Sequence, residues 1–506
     1  MISKEAIRRG YNRGDYQVGA PTQPKFARAG APVATGQRFE NTVPAPDEVV
    51  EKLRAAGLEV VTDPTKVRDG VRDWWAGTMI AETDGRGGTD GVVVAKAGTV
   101  EEVQEAVRIT RGAGVPLTVS AARSNVTGSA LPVHGGVVLD VCGLDRILDL
   151  DETSQIVSAE PGVFGDVFET WLQERGFTTG HWPSSFGIST VGGWAACRGA
   201  GQLSTRYGKI EDMVVGLDVV LPDGSLITTG GNPRAAVGPD LNQVFVGSEG
   251  LLGVIVGVRL RLHRLPDYSR ALAFGFDTFA AGLEACRQIL QRGANPAVLR
   301  LYDNLESGVQ FGHGETNVLL IADEGDQPLV DAVMTVTEQV CAAAQPLDQD
   351  AILEKWLDTR YLTGKSAEGF KPTEGKGFVA DTLEMAARWA DLPQIYDEVV
   401  AAINSVEGTL AGSAHQSHAY VDGACLYFSL RGEVNLEHRQ DWYDQVWKAV
   451  NEILIAKGSA ISHHHGVGLL RSPYVGQALG EGHRVLAATK AALDPKGLFN
   501  PGKFGL

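Results

Sequence analysis

The chain is poor in the features that mark several large protein classes. It contains no run of 18 apolar residues, so no segment is long enough to be expected to span a membrane. Its five cysteines, Cys142, Cys197, Cys286, Cys341 and Cys425, are far apart and include no CxxC pair. A disulfide scaffold is not expected; buried, reduced thiols are. Basic residues are in the minority, with 45 Lys and Arg against 62 Asp and Glu and a net charge of −17. Phosphate backbones need a cationic surface, so nucleic acid is not the expected partner. The usual nucleotide signatures are missing too. No GxGxxG follows a strand and opens a helix, and Gly364-Lys365-Ser366 ends a Walker-like stretch whose first glycine position holds Thr359. No HExxH zinc motif occurs. The first residues lack an apolar signal region and the last lack a peroxisomal tripeptide, so a cytoplasmic protein is expected.

What is present is glycine and core. The 506 residues include 62 glycines and are 43% hydrophobic, enough for two or three packed units with many tight turns. Residues 1–85 are rich in Pro, Gly and Arg and read as an arm, apart from a short helical pattern over 46–56. Regular structure is expected from residue 86. Val92-Val93-Val94 reads as a buried strand, and Thr99-x-x-Glu102 as a capping box opening a helix that stops at Gly112. A strand over 115–119 then feeds a turn-rich loop, 120–128. Phe164, Val167, Phe168, Trp171 and Leu172 form the stripe of an amphipathic helix. Pro222-Asp223-Gly224 joins two strands as a hairpin, and alternation from Val254 to Leu262 predicts a strand with one apolar face. Beyond about residue 266, long helical patterns over 279–292, 328–344, 394–403 and 438–457 alternate with strands at 297–302, 318–322 and 424–429. The mixture without a strict βαβ repeat predicts an α+β fold.

Two stretches carry chemistry. Residues 179–203 are dense in Ser, Thr and Gly, the composition of a backbone that turns N–H groups toward a pyrophosphate or simply of a glycine-rich connector. His463-His464-His465-Gly466-Val467-Gly468 is internal to the chain. Imidazoles with their ordinary pKa near 6.5 suit acid–base work at neutral pH.

Together the motifs resemble a known family. Gly180-His181-x-Pro183, Ser189-Thr190-Val191-Gly192-Gly193-Trp194, Tyr207-Gly208-x-Ile210-Glu211-Asp212 and Gly247-Ser248-Glu249-Gly250-x-x-Gly253-Val254-Ile255 are similar to the FAD-binding (PCMH-type) domain of the vanillyl-alcohol oxidase flavoproteins. Tyr420-x-Asp422-Gly423-Ala424-Cys425-x-Tyr427-Phe428 and the histidine segment resemble the alkyldihydroxyacetonephosphate synthases within that superfamily. The resemblance implies an FAD-binding domain over 86–268, a substrate cap over 269–457 and a C-terminal segment, 458–506, returning to the flavin. It implies that Ser120, Ala121, Arg123, Ser124, Asn125, Pro183, Ser189, Thr190, Gly192 and Gly193 hold FAD at its phosphates, and that Glu249, Gly250, Gly253 and Ile255 lie along the cofactor. His463, His464, His465, Tyr427 and Arg300 would be the catalytic groups.

The departures shape the expectation. The phosphate loop of the family is Gly-Gly-Gly-Thr-Ser, whereas this chain has Ser120-Ala121-Ala122-Arg123-Ser124-Asn125, in which Arg123 would add positive charge. The loop has no histidine for covalent flavin attachment, so FAD is expected to be dissociable. The lysine after the synthases' histidine motif is Leu469 here, which leaves Arg471 as the nearby cation. In a sister group a metal sits on cap histidines and a Glu-His pair. Only His418 matches, and His464 stands where the glutamate would be, so no metal is expected. Two reactions share the scaffold: oxidation of a hydroxyl by proton abstraction with hydride transfer to flavin N5, and a non-redox exchange of acyl for alkyl on dihydroxyacetone phosphate. An FAD-dependent oxidoreductase acting on a small hydroxyl or lipid-like substrate is the general expectation, as a homodimer with at most peripheral membrane contact.

Overall fold

The computed structural model describes residues 2–4, 18–23, 36–360 and 375–506. The Gly364-Lys365-Ser366 stretch lies outside them. Among the described residues no helix is long and apolar enough to cross a membrane.

The region expected to bind FAD has two main sheets. Strands β1 (Glu59–Val61), β2 (Val93–Lys96), β3 (Leu117–Ser120) and β4 (Val137–Asp140) form the first, in the order β1-β2-β4-β3. β2 and β3 both run parallel to β4. The helix Val100–Ala113 crosses between β2 and β3, burying Val103, Ala106 and Val107, and ends where Gly114 takes a left-handed φ of 68°. Only half of the expected capping box forms. The Thr99 hydroxyl accepts from the Glu102 N–H, but the Glu102 carboxylate takes the N–H of Gly98 instead of that of Thr99. The second sheet contains β5 (Ile147–Asp151), β6 (Ile156–Ala159), β7 (Val214–Val220), β8 (Leu226–Gly230) and β9 (Val254–Arg261), in the order β5-β6-β9-β7-β8. β9 departs from the expected single apolar face. It is wedged between two cores, Val254 and Val256 packing with the first sheet and Ile255 and Val258 with the second.

Within the expected N-terminal arm, 1–85, the helix expected over 46–56 forms, and from residue 47 onward the chain is built into the first sheet and its core. The helix Asp47–Ala55 buries Val49, Val50 and Leu53 in the core of the first sheet, and β1 pairs antiparallel with β2. The composition hid this because three-residue β1 and the two short helices Pro64–Val71 and Ala76–Thr83 carry too few periods to register.

The cap is a seven-stranded antiparallel sheet. Its strands are β10 (Tyr268–Phe276), β11 (Val298–Tyr302), β12 (Asn317–Gly325), β13 (Gln345–Pro346), β14 (Lys376–Arg388), β15 (Thr409–Ala419) and β16 (Gly423–Asn435), in the order β13-β10-β12-β11-β15-β16-β14. Strand alternation gives the sheet two different faces. Leu299, Leu301, Leu426, Phe428 and Leu383 pack under the helices Phe279–Gln291, Leu392–Ser405 and Arg439–Ala456. Val298, Tyr302, Val318 and Leu320 point the other way and join the core of the FAD-binding region. Any polar residue in register with that second group faces the seam between the two units. The C-terminal segment crosses the seam. Ala460 bridges to Ala386 on β14, and Leu117 on β3 exchanges backbone hydrogen bonds with Leu498 and Asn500.

Candidate active site

A cavity of about 440 Å³ runs along the seam, within the size range of small-molecule and cofactor sites. Its floor belongs to the FAD-binding region. Ser120, Ala121, Arg123, Ser124, Asn125, Pro183, Ser189, Thr190, Gly192, Gly193, Glu249, Gly250, Gly253 and Ile255 all line it, so every cofactor contact expected from sequence borders one space.

The details differ from expectation at three of these positions. Residues 179–203 are not one irregular loop: Val191–Cys197 is a short helix capped by the Thr190 hydroxyl, which puts Gly192 and Gly193 in its first turn. A side chain at Gly192 would bring its Cβ within 2.3 Å of the Pro161 Cβ, so glycine is a packing requirement there. Arg123 holds a left-handed φ of 58°, unusual for a residue with a side chain. Its guanidinium is committed to a buried pair with Asp140 at 2.8 Å and to the Ala121 carbonyl, not to free charge in the loop. Glu249 borders the cavity, yet its carboxylate accepts the N–H groups of Val467 (2.5 Å) and Gly468 (2.8 Å). The loop is also braced by the supposed arm, since Trp74 donates its backbone N–H to the Asn125 carbonyl and Asn125 donates to Asp73.

Several buried polar atoms on the floor have no partner among the described residues. They are the Ser120 hydroxyl, the Gln202 carbonyl oxygen and both ring nitrogens of His181, a residue with no exposed surface. His181 is pushed down to a pKa of about 3 by burial and then by Lys209, so it is neutral, with one donor and one acceptor unfilled. Unmatched polar atoms are costly in a finished core. They fit a long ligand with many hydrogen-bonding groups lying over this floor.

The ceiling comes from the cap. β11, β15, β16 and β14 set Tyr302, His415, Tyr427 and Glu384 in one cross-strand row, Tyr302 opposite His415, His415 opposite Tyr427 and Tyr427 opposite Glu384. Arg300 shares their face of β11, and its Nε donates to the Tyr302 hydroxyl at 3.1 Å. A β-bulge between Gln416 and His418 shifts the alternation by one, so His418 joins His415 on the cavity side. Tyr427 hydrogen-bonds Thr382 at 2.9 Å, and burial raises its phenol above the ordinary value.

The histidine segment closes one end of the cavity. His464 and His465 line it; His463 does not. His463 sits behind His464, with its Nδ1 2.9 Å from the His464 Nδ1, its Nε2 2.8 Å from the Tyr420 hydroxyl and its carbonyl accepting from Lys209. Of the three histidines expected to be catalytic, His463 is thus set behind the cavity wall. The expected ordinary pKa is corrected. Burial and Lys209 push His463 down to about 3, burial and then the neighbouring His465 and His418 push His464 well down, and burial lowers His465. All three are neutral at neutral pH. Arg471, expected as a cation near the substrate, is fully buried: it pairs with Glu384 and donates to the carbonyls of Ile461 and Gly466.

Sequence reasoning missed Glu384, Glu306, His415 and Trp74. Glu384 has no exposed surface, and one of its oxygens accepts from the Ser462 hydroxyl and from the N–H groups of His463, His464 and His465. The available signal was a charge flanked by apolar neighbours, Leu383-Glu384-Met385. One nitrogen each of His418, His463 and His464 lies within 4.8 Å of the others, close enough for one cation.

A two-sheet cofactor floor roofed by an antiparallel cap and closed by a C-terminal segment is the architecture of the vanillyl-alcohol oxidase flavoproteins. The comparisons agree. Residues 92–230 match the FAD binding domain and residues 265–504 the C-terminal domain of FAD linked oxidases. The uncharacterized FAD-linked oxidoreductase YgcU of Escherichia coli K12 is 30% identical over 430 residues, covering 81% of this chain and 88% of that protein. Alkyldihydroxyacetonephosphate synthase of Caenorhabditis elegans is 30% identical over 405 residues, covering 72% of this chain and 66% of that protein. A solved structure of an alkyldihydroxyacetonephosphate synthase superposes with a TM-score of 0.72 at 24% identity, covering 93% of this chain and 89% of that one. The chain belongs to the FAD-linked oxidases of the vanillyl-alcohol oxidase superfamily, and FAD is its cofactor.

Proposed function

We propose that this FAD-linked oxidoreductase oxidises a small hydroxyl compound held between the cofactor floor and the cap, with FAD bound without a covalent link. FAD supplies a two-electron acceptor when bound. The observation that carries the reading is the single cavity into which the cofactor-floor residues and Arg300, Tyr427, His464 and His465 all open. Arg300 offers a fixed cation to an oxygen of the substrate or the cofactor. Tyr427, held by Thr382, and the neutral His464 and His465 offer hydrogen bonds that orient a hydroxyl. The hydroxyl proton leaves to a base in the cavity wall. Dissociable FAD is supported by the absence of histidine among residues 120–128.

The test is anaerobic mixing of the yellow protein with primary alcohols, 2-hydroxy acids and glycerol 3-phosphate. Bleaching of the flavin by one class supports the reading, and an unbleached flavin across the panel removes it. Acid precipitation should leave FAD in the supernatant. The likeness to alkyldihydroxyacetonephosphate synthases supports a second reading, the non-redox exchange of an acyl group for an alkyl group. Acyl exchange on an acyl-dihydroxyacetone phosphate without oxygen uptake would establish it. The burial of Arg471 and the presence of Leu469 leave that reading without the cation expected beside the histidine motif.

A further inference from the structure

The cap wall carries an acid–base pair outside the histidine segment. Glu306 lies in the first turn of the helix Asn304–Phe311, its N–H accepted by the capping carboxylate of Asp303. One Glu306 oxygen is 2.7 Å from the His415 Nδ1, and the other accepts from the hydroxyls of Ser429 (2.8 Å) and Ser413 (3.1 Å). Burial works to raise the Glu306 pKa, but His415 and these hydrogen bonds outweigh it and hold the carboxyl below its ordinary value. An ionised Glu306 carboxylate, already accepting from two hydroxyls, can only accept, which makes His415 Nδ1 the donor; in the neutral ring Nε2 then keeps its lone pair. The ring is fixed between Tyr302 and Tyr427, with centroids 5.2 and 5.0 Å away and planes within 26°. Both Glu306 and His415 line the cavity.

The contrast with the histidine segment assigns the role. A histidine base becomes a cation when it takes a proton, and burial disfavours His463, His464 and His465 as cations, with Lys209, His465 and Arg471 respectively adding to it. Glu384, the carboxylate beside them, is already occupied by Arg471 and three backbone N–H groups. His415 has a carboxylate hydrogen-bonded to its rear nitrogen. That arrangement fixes the tautomer and stabilises the imidazolium.

We propose that His415, oriented by Glu306, is the catalytic base that takes the substrate's hydroxyl proton. The assignment rests on the reading that the substrate is a hydroxyl compound. In the step, the carbinol C–H and O–H bonds break and a carbonyl forms. The hydride pair passes to the FAD oxidant and the proton to His415 Nε2, giving an imidazolium beside the Glu306 carboxylate. Glu306 is the positioning residue.

The test compares His415→Gln, Glu306→Gln and the milder Ser429→Ala with wild type, using (R)- and (S)-lactate, glycerol 3-phosphate and benzyl alcohol as probes. All three variants should keep FAD and hold KM within about threefold. Anaerobic bleaching should slow by about 10²- to 10⁴-fold in His415→Gln, by about 10²-fold in Glu306→Gln and by severalfold in Ser429→Ala. A readout without turnover is the side-chain nitrogen spectrum of histidine-labelled protein, with the His415 signals assigned by their loss in His415→Gln. Wild type should show His415 as the Nδ1–H form, and Glu306→Gln should shift that population. Bleaching of His415→Gln at the wild-type rate, or an Nε2–H form in wild type, overturns the assignment while leaving the oxidoreductase reading intact. Wild type that no probe bleaches removes that reading and the assignment with it.

Discussion

The histidine segment is gripped at its two ends by buried carboxylates in opposite electrostatic settings. On the cap side, Glu384 accepts three consecutive N–H groups, from His463 to His465, and is paired with Arg471. Burial works to raise its pKa, but Arg471 above all, with the hydrogen bond from the His464 N–H, outweighs burial and holds it far below the carboxylate range. On the cofactor side, Glu249 accepts the N–H groups of Val467 and Gly468, with no cation hydrogen-bonded to it among the described residues, and burial raises it to about 7. Lys503, the cation that acts on it most strongly, is itself pushed down to about 7 by burial. The difference teaches where the segment is fixed and where it can give. Its cap end is held by a permanent charge, and its cofactor end by a group that changes protonation near neutral pH.

Glu384→Ala should have the largest effect. It strands Arg471, which has no exposed surface, and frees three N–H groups at once. Breaking a buried pair from one side costs about 3–5 kcal/mol, so thermal unfolding should shift down by many degrees. Glu249→Ala should cost less, because it strands no hydrogen-bonded cation. If the two variants unfold at the same temperature, the asymmetry is wrong.

The second effect is one of sign. Between pH 4.5 and about 7 the folded chain keeps on Glu249 a proton that the unfolded chain has released. Rising pH therefore destabilises the fold across that window, by about 3 kcal/mol for a shift of this size. Glu384 works the other way: its contribution is complete above pH 4.5 and is lost only in strong acid, as pH falls toward its depressed pKa. Glu169, raised to about 7, and Asp73 and Asp381, raised to about 6, share the direction of Glu249. The readout is accordingly a difference, in which Glu249→Gln flattens the pH slope of stability relative to wild type. An unchanged slope would show that Glu249 does not titrate in this window.

Much of this was legible in the sequence, and the rest was not for identifiable reasons. The glycine-rich motifs placed the cofactor floor because each glycine there answers a local demand, as Gly192 does against Pro161. The long helices and the β7–β8 hairpin were legible from periodicity. Register across strands was not. Nothing in the chain's order reveals that His415, Tyr427 and Glu384 share a row, because that depends on the pairing of β15, β16 and β14 and on a bulge at Gln416. Burial was hidden as well. His463, His464 and His465 are adjacent in sequence, yet only two reach the cavity, and their pKa values depend on neighbours brought in from elsewhere, Lys209, Glu384 on β14 and His418 on β15.

Function should follow the division inside the segment. His464→Ala and His465→Ala remove rings that line the cavity, and should lower turnover by about 10²-fold while FAD stays bound. Equal turnover in either variant would remove the proposed role of that ring in orienting substrate. The structure predicts a smaller loss for the same change one residue earlier.

His463→Ala should slow turnover only severalfold, because His463 acts through His464 and not on the substrate. Its Nδ1 meets the His464 Nδ1 at 2.9 Å, and one of two facing nitrogens must carry a proton, so His463 sets which tautomer His464 adopts. Asparagine at 463 offers an amide near the same place and should recover part of the loss, whereas alanine should not. The same geometry bears on metal. His418, His463 and His464 are close enough to share a cation, but both nitrogens of His463 are engaged, with His464 and Tyr420, and the His418 Nδ1 is held by Ser204 at 2.7 Å. A cation would have to displace the contact between His463 and His464. Dialysis against a chelator should therefore leave turnover and the His463→Ala deficit unchanged. Loss of activity on chelation, restored by a divalent metal, would instead make these histidines a metal site and explain their crowding without a proton between them.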